Sequence, residues 1–313
     1  MPLDPRARRF LDTLAAMSPP SALSLSVQER RAALAHLLSF CGPLEEVTAV
    51  DRFELPGPAE TALRVRAYTP AGANIGEVLP GMVYFHGGGL VAGTLDTHDP
   101  VCRSLSNASR CRVLSVDYRL APEHRFPAAV ADGCAAVEWV AAHADELVID
   151  RLGVCGDSAG ATLAAVVCQN IAAAGQIPLA FQFLLCPITD FARESESRRT
   201  LAEGYLVDRD TLEHDLKHYL APGVDRTDPR ISPARVGDVS RLPPTAVHTA
   251  EFDPLRDEGL SYAERLRQAG VPTLYRCHPG MIHLFYGMRG LLAYVGAAFS
   301  LIGADIRSLL ATI

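Results

Sequence analysis

From residue 81 onward the chain is punctuated by short runs in which nearly every residue is apolar: GMVYFHG, CRVLSVDY, LGVCGDS, FQFLLCP, TAVHTAEFD and VPTLYRCHP. Stretches with helical spacing separate several of them, notably Ala128–His143 and Ala159–Ala174. A strand covered on both faces has no wet side, so it shows no polar alternation. Such runs, interleaved with helices, predict a parallel sheet sandwiched between helical layers, an α/β fold. The upstream pattern differs. VTAVDRFEL and ALRVRAYTP alternate apolar and polar residues across a Pro/Gly turn and predict two antiparallel strands. Residues 1–40 are rich in Ala and Leu at helical spacing, broken by Pro19 and Pro20. Residues 188–244 carry many charges, no core-strand pattern and one amphipathic stretch, DRDTLEHDLKHYL. A segment that long predicts an insertion with helices of its own. The uncharged Gly290–Ala304 is too short to span a bilayer and predicts part of a packed terminal helix.

Composition narrows the chemistry. The 313 residues are 49% hydrophobic with a net charge of −7, which leaves no electrostatic footprint for nucleic acid or an anionic membrane. The lone lysine, Lys217, removes P-loop and Ser-x-x-Lys chemistry. Eight scattered cysteines without a Cys-x-x-Cys read as small buried hydrophobes. The N-terminus shows no apolar signal region, so a cytoplasmic location is expected. His214 and His218 lie one helical turn apart, but Asp215 stands where a zincin needs Glu; a solvated, charged helix face is expected there, and no metal.

The run LGVCGDS leads straight into ATLAAVVCQNIAAA through Gly156-Asp157-Ser158-Ala159-Gly160. A strand that turns directly into a helix demands small neighbours and lifts the corner serine clear of the backbone. Ser158 is therefore the candidate nucleophile. Another strand ends in His86-Gly87-Gly88-Gly89, whose glycines let backbone N–H groups approach a reacting carbonyl; Ala159, after the serine, would supply a further donor. Gly87-x-Gly89-x-x-Ala92 also fits a loose dinucleotide fingerprint, but no acidic residue follows at the required distance. A serine needs a base, and the base a carboxylate, in the chain order Ser, Asp/Glu, His. Asp253, at the end of TAVHTAEFD, is favoured over Asp257, one turn into the next helix. His283, on a loop beyond a Pro-Gly turn, is favoured over His278 at the strand end. Asp157 and His86 are expected to support the site rather than do chemistry.

Together these segments resemble the hormone-sensitive-lipase-like family of bacterial carboxylesterases, of the GDSAG type. The resemblance covers HGGG, THDPVCR at 97–103, VDYRLAPEHRFPAA at 116–129, GDSAG, FDPLRDEG at 252–259 and PGMIH at 279–283. It implies an α/β-hydrolase fold in one domain, 1–313, with a helical cap from about 1–40 and an insertion at about 190–240. It implies Ser158 as nucleophile, Asp253 as orienting acid, His283 as base, and oxyanion donors at Gly88, Gly89 and Ala159. Tyr205, Leu206 and Leu216 become candidate substrate contacts. So does Leu284, which stands where the family commonly has glycine. The implied activity is cofactor-free hydrolysis of short- to medium-chain acyl or aryl esters by a monomer or homodimer. Two alternatives remain at this stage. One is amide, lactone or carbamate cleavage by the same triad. The other is a non-catalytic small-molecule receptor of this fold, against which His283 argues.

Overall fold

A computed structural model describes residues 1–311. The two alternating runs form β1 (Ala49–Pro56) and β2 (Ala62–Thr69), and the apolar runs form β3 (Leu79–Phe85), β4 (Arg112–Val116), β5 (Ile149–Asp157), β6 (Phe181–Leu185), β7 (Thr245–Phe252) and β8 (Thr273–Ile282). They make one sheet in the order β1-β2-β4-β3-β5-β6-β7-β8. β1 and β2 pair antiparallel, as does β2 with β4, and the remaining pairs are parallel.

The helices are α1 (Pro5–Ala16), α2 (Val27–Leu38), α3 (Asp99–Ser109), α4 (Ala128–Ala142), α5 (Ala159–Ala174), α6 (Glu196–Thr200), α7 (Arg209–Tyr219), α8 (Arg256–Gln268) and α9 (Val295–Leu310). Strand side chains divide between two cores, which is why the runs lack polar alternation. Val83 and Phe85 of β3 pack in the core under α4, α5 and α8, while Met82 and Tyr84 pack in the core under α3 and α9. The chain leaves β3 for β4, then returns to β5 on the other side of β3. Such a reversal opens a crevice beyond the carboxyl ends of the two strands. The glycine loop and Ser158 emerge there, side by side.

Two elements differ from expectation. β8 does not stop at His278; it runs on through Pro279 and Gly280 to Ile282. Gly280, at φ 70°, absorbs a register shift against β7, and pairing resumes at Phe252↔Ile282. Pro279 is tolerated because β8 is the sheet's edge strand. The terminal helix begins at Val295 rather than near 290, because Gly290 lies against the Phe40 and Gly42 backbone. Among the described residues no helix is long and apolar enough to cross a membrane.

Candidate active site

Ser158 stands between β5 and α5 at φ 53°, ψ −125°, a conformation that L-residues adopt only under constraint. The constraint is visible. Ser158 N–H donates to Leu185 O of β6 at 2.8 Å, and its carbonyl accepts from Ala161 and Thr162 of α5. Gly156 and Gly160 allow so tight a corner. A β-carbon on Gly156 would collide with the Gly160 carbonyl, and one on Gly160 with the carbonyls of Phe85 and His86.

His283 follows β8 directly. Its Nε2 lies 2.9 Å from Ser158 Oγ and its Nδ1 2.7 Å from Asp253 Oδ2. A carboxylate only accepts, so Nδ1 carries the proton and Nε2 is left to accept from the serine hydroxyl. Asp253 Oδ1 takes the Leu255 N–H at 2.8 Å, so this carboxylate both faces the histidine and holds the turn into α8. The rivals lie elsewhere. Asp257 accepts from Ser197 N and Arg256, and His278 bridges His248 Nδ1 and Tyr294 OH. Cys186 was not singled out by sequence. Its thiol faces Asp253, and burial together with that carboxylate pushes its pKa well up.

The glycine loop turns through Gly88 (φ 120°) and Gly89 (φ 68°) toward Ser158. Among the described residues, none accepts from the amides of Gly88, Gly89 or Ala159. Beneath the loop, fully buried Asp157 points away from the serine. It accepts from Gly87 N at 2.9 Å, from Tyr286 OH at 2.8 Å and from Tyr84 OH. Burial alone would raise its pKa, yet His98 and the two tyrosine hydroxyls hold it down to about 2. His86 is stacked between Tyr118 and His98, with Nδ1 2.8 Å from Gly87 O. Burial and then His98 lower its pKa to about 3, so it stays a neutral prop.

Above Ser158 lies a cavity of about 240 Å³. Its wall is mostly apolar and comes from both helical segments outside the sheet, with Leu34 of α2, Leu212 and Leu216 of α7, and Leu206, Ile188 and Leu284 beside them. Tyr205 is turned away and stacks on Phe252, ring centroids 5.6 Å apart. The α7 face expected to be solvated is buried: His214 and Asp215 are 1% and 6% exposed, because α2 and the preceding turn lie on them. Asp215 and Arg30 both line the cavity; the sequence placed Asp215 on a solvated face and gave no signal for Arg30.

Sheet order, elbow and glycine loop define an α/β hydrolase. A family model described as alpha/beta hydrolase fold matches residues 82–287. The carboxylic ester hydrolase LipN of Mycobacterium tuberculosis is 40% identical over 270 residues, 82% of this chain and 70% of the relative. The arylesterase of Saccharolobus solfataricus is 36% identical over 298 residues, 92% of this chain and 93% of the relative. Among solved structures, an α/β hydrolase from the metagenome of Lake Arreo, Spain, studied as a serine-to-alanine mutant, superposes with a TM-score of 0.94 at 41% identity, covering 99% of both chains. The chain belongs to the hormone-sensitive-lipase-like family of α/β hydrolases. Its class is carboxylic ester hydrolase.

Proposed function

We propose that the protein cleaves short- to medium-chain acyl or aryl esters by a serine mechanism, with Ser158, His283 and Asp253 as the catalytic triad. The observation that carries this reading is the pair of contacts at His283, 2.9 Å to Ser158 Oγ and 2.7 Å to Asp253 Oδ2. Ser158 Oγ attacks the ester carbonyl carbon while its proton passes to His283 Nε2. The amides of Gly88, Gly89 and Ala159 hold the oxyanion. Collapse of the tetrahedral species expels the alcohol, which takes the proton back from His283. Water then attacks the acyl-enzyme by the same route, releasing acid and restoring the serine. Asp253 fixes the imidazole tautomer and stabilises the imidazolium that forms. Residues 1–40 and 190–240 act as a cap on a single domain, and Leu206, Leu216 and Leu284 contact the substrate. The small, apolar cavity favours a short ester over a long-chain glyceride.

Hydrolysis of p-nitrophenyl esters from acetate to dodecanoate tests the proposal. Wild type is expected to be fastest on short chains, and Ser158→Ala to lose about 10³-fold or more, keeping only what binding and the oxyanion donors supply. A mutant that matches wild type sinks the triad, and a rate rising toward dodecanoate sinks the substrate class.

A further inference from the structure

Arg30 of α2 and Asp215 of α7 meet in the cavity wall. Arg30 Nε donates to Asp215 Oδ1 at 3.0 Å and Nη2 to Oδ2 at 2.7 Å, with only 11% and 8% of the two side chains exposed. His214 completes the cluster, its Nδ1 3.1 Å from Asp215 Oδ1 and its Nε2 3.1 Å from Leu25 O. The carboxylate sits on the glycine loop itself: a β-carbon on Gly89 would collide with Asp215 Oδ2. Helix α2 itself rests on the same loop at two points, through Arg31 Nε, which donates to Val91 O at 2.9 Å, and through Leu34, which a β-carbon on Gly88 would crowd.

This is an odd place for a carboxylate. A negative charge beside Gly89 opposes the oxyanion that develops there, and the largely buried, mostly apolar surroundings screen it poorly. Stability alone does not account for the pair, because a buried ion pair commonly gives no more than well-packed apolar residues would. We propose that Arg30 is a positioning residue for the reaction: it clamps Asp215 onto Gly89 and cancels its charge, so that the Gly88 and Gly89 amides face the oxyanion without a competing anion. This rests on the oxyanion assignment made above.

Arg30→Gln and Asp215→Asn break the same ion pair, so a mere latch predicts similar losses from both. Cancellation of charge predicts an asymmetry. With p-nitrophenyl acetate, kcat of Arg30→Gln is expected to fall at least about tenfold below that of Asp215→Asn, with KM within about threefold. The double variant should recover most of the difference. Equal losses, or losses confined to KM, overturn the proposal. Should Arg30→Gln fail to fold by circular dichroism, Asp215→Asn decides: kcat within about tenfold of wild type supports the proposal, and a larger loss at constant KM overturns it. An aliphatic trifluoromethyl ketone, which forms an anionic adduct with a serine, separates this proposal from the reading beneath it. If wild type binds it no better than the matching methyl ketone, the oxyanion assignment itself fails. Tight binding that Arg30→Gln weakens at least about tenfold supports the role of Arg30, and tight binding that the variant leaves untouched overturns that role alone.

Discussion

Leu284 shows how one side chain sets both strain and shape. It follows His283 at φ 64°, ψ 8°, a left-handed conformation that costs a residue with a β-carbon about 1–2 kcal/mol. The residue is 5% exposed and lines the cavity. The family's usual glycine here therefore has a backbone reason, and the leucine trades strain for a filled wall. Leu284→Gly should relieve the strain but forfeit a buried leucine, worth about 2–5 kcal/mol, so the net is a lower melting temperature. The enlarged pocket should also raise activity on bulkier acyl esters relative to acetate. Calorimetry with an ester panel checks both, and a higher melting temperature would show that strain outweighs packing. At this scale the three side chains that meet at His283 could be picked out along the chain: Ser158 and Asp253 fall at the ends of apolar runs and His283 beyond a Pro-Gly turn, in the order Ser, Asp, His. Arg30 and Asp215 were not, because their contact spans 185 positions and no local pattern announces it.

Among the elements, the turn from β5 into α5 is tightly built on both sides. Gly160 faces the carbonyls of Phe85 and His86 at the end of β3, so the Ser158 corner and the glycine loop share one contact. Gly160→Ala drives a methyl group into rigid backbone, a form of overpacking that costs about 1–3 kcal/mol. Because the strands it forces apart carry Ser158 and Gly88, kcat should fall together with the melting temperature. A variant of normal kcat and reduced stability would mean that the loop's position is fixed elsewhere. Strands were legible from apolar runs, and α5 was expected over the residues where it stands, since neither proline nor glycine interrupts the chain between Gly160 and Gly175. What escaped reading depends on partners. β8 passes through a Pro-Gly pair because it lies at the sheet edge, and α7 buries a charged face because α2 supplies the opposite charge.

The whole molecule carries its ionisable groups in a way that makes acid its weakness. His86 and His278 are both buried and drop from an ordinary 6.5 to about 3; burial is the main cause, followed by His98 for the first and His248 for the second. Each stays neutral in the fold while the unfolded chain takes up a proton, so each withdraws stability as pH falls from 6.5 toward 3. His248, lowered mainly by burial, acts in the same sense. Asp157, held at about 2, adds a further loss only below its ordinary 3.8. Glu258 opposes them. Burial, against the pull of Arg198, raises it from 4.5 to about 7, so it favours the fold as pH falls through that interval. Three lowered histidines against one raised carboxyl leave the net slope toward acid instability. The urea midpoint should hold between pH 8 and 7 and fall from about pH 6.5 downward. His278→Gln replaces one of those histidines with a group that does not titrate. The variant should be less stable than wild type at pH 8, having lost the fit to His248 and Tyr294, yet its midpoint should decline less between pH 6.5 and 4. A variant with the wild-type slope would mean that His278 is not among the groups that bind protons on unfolding.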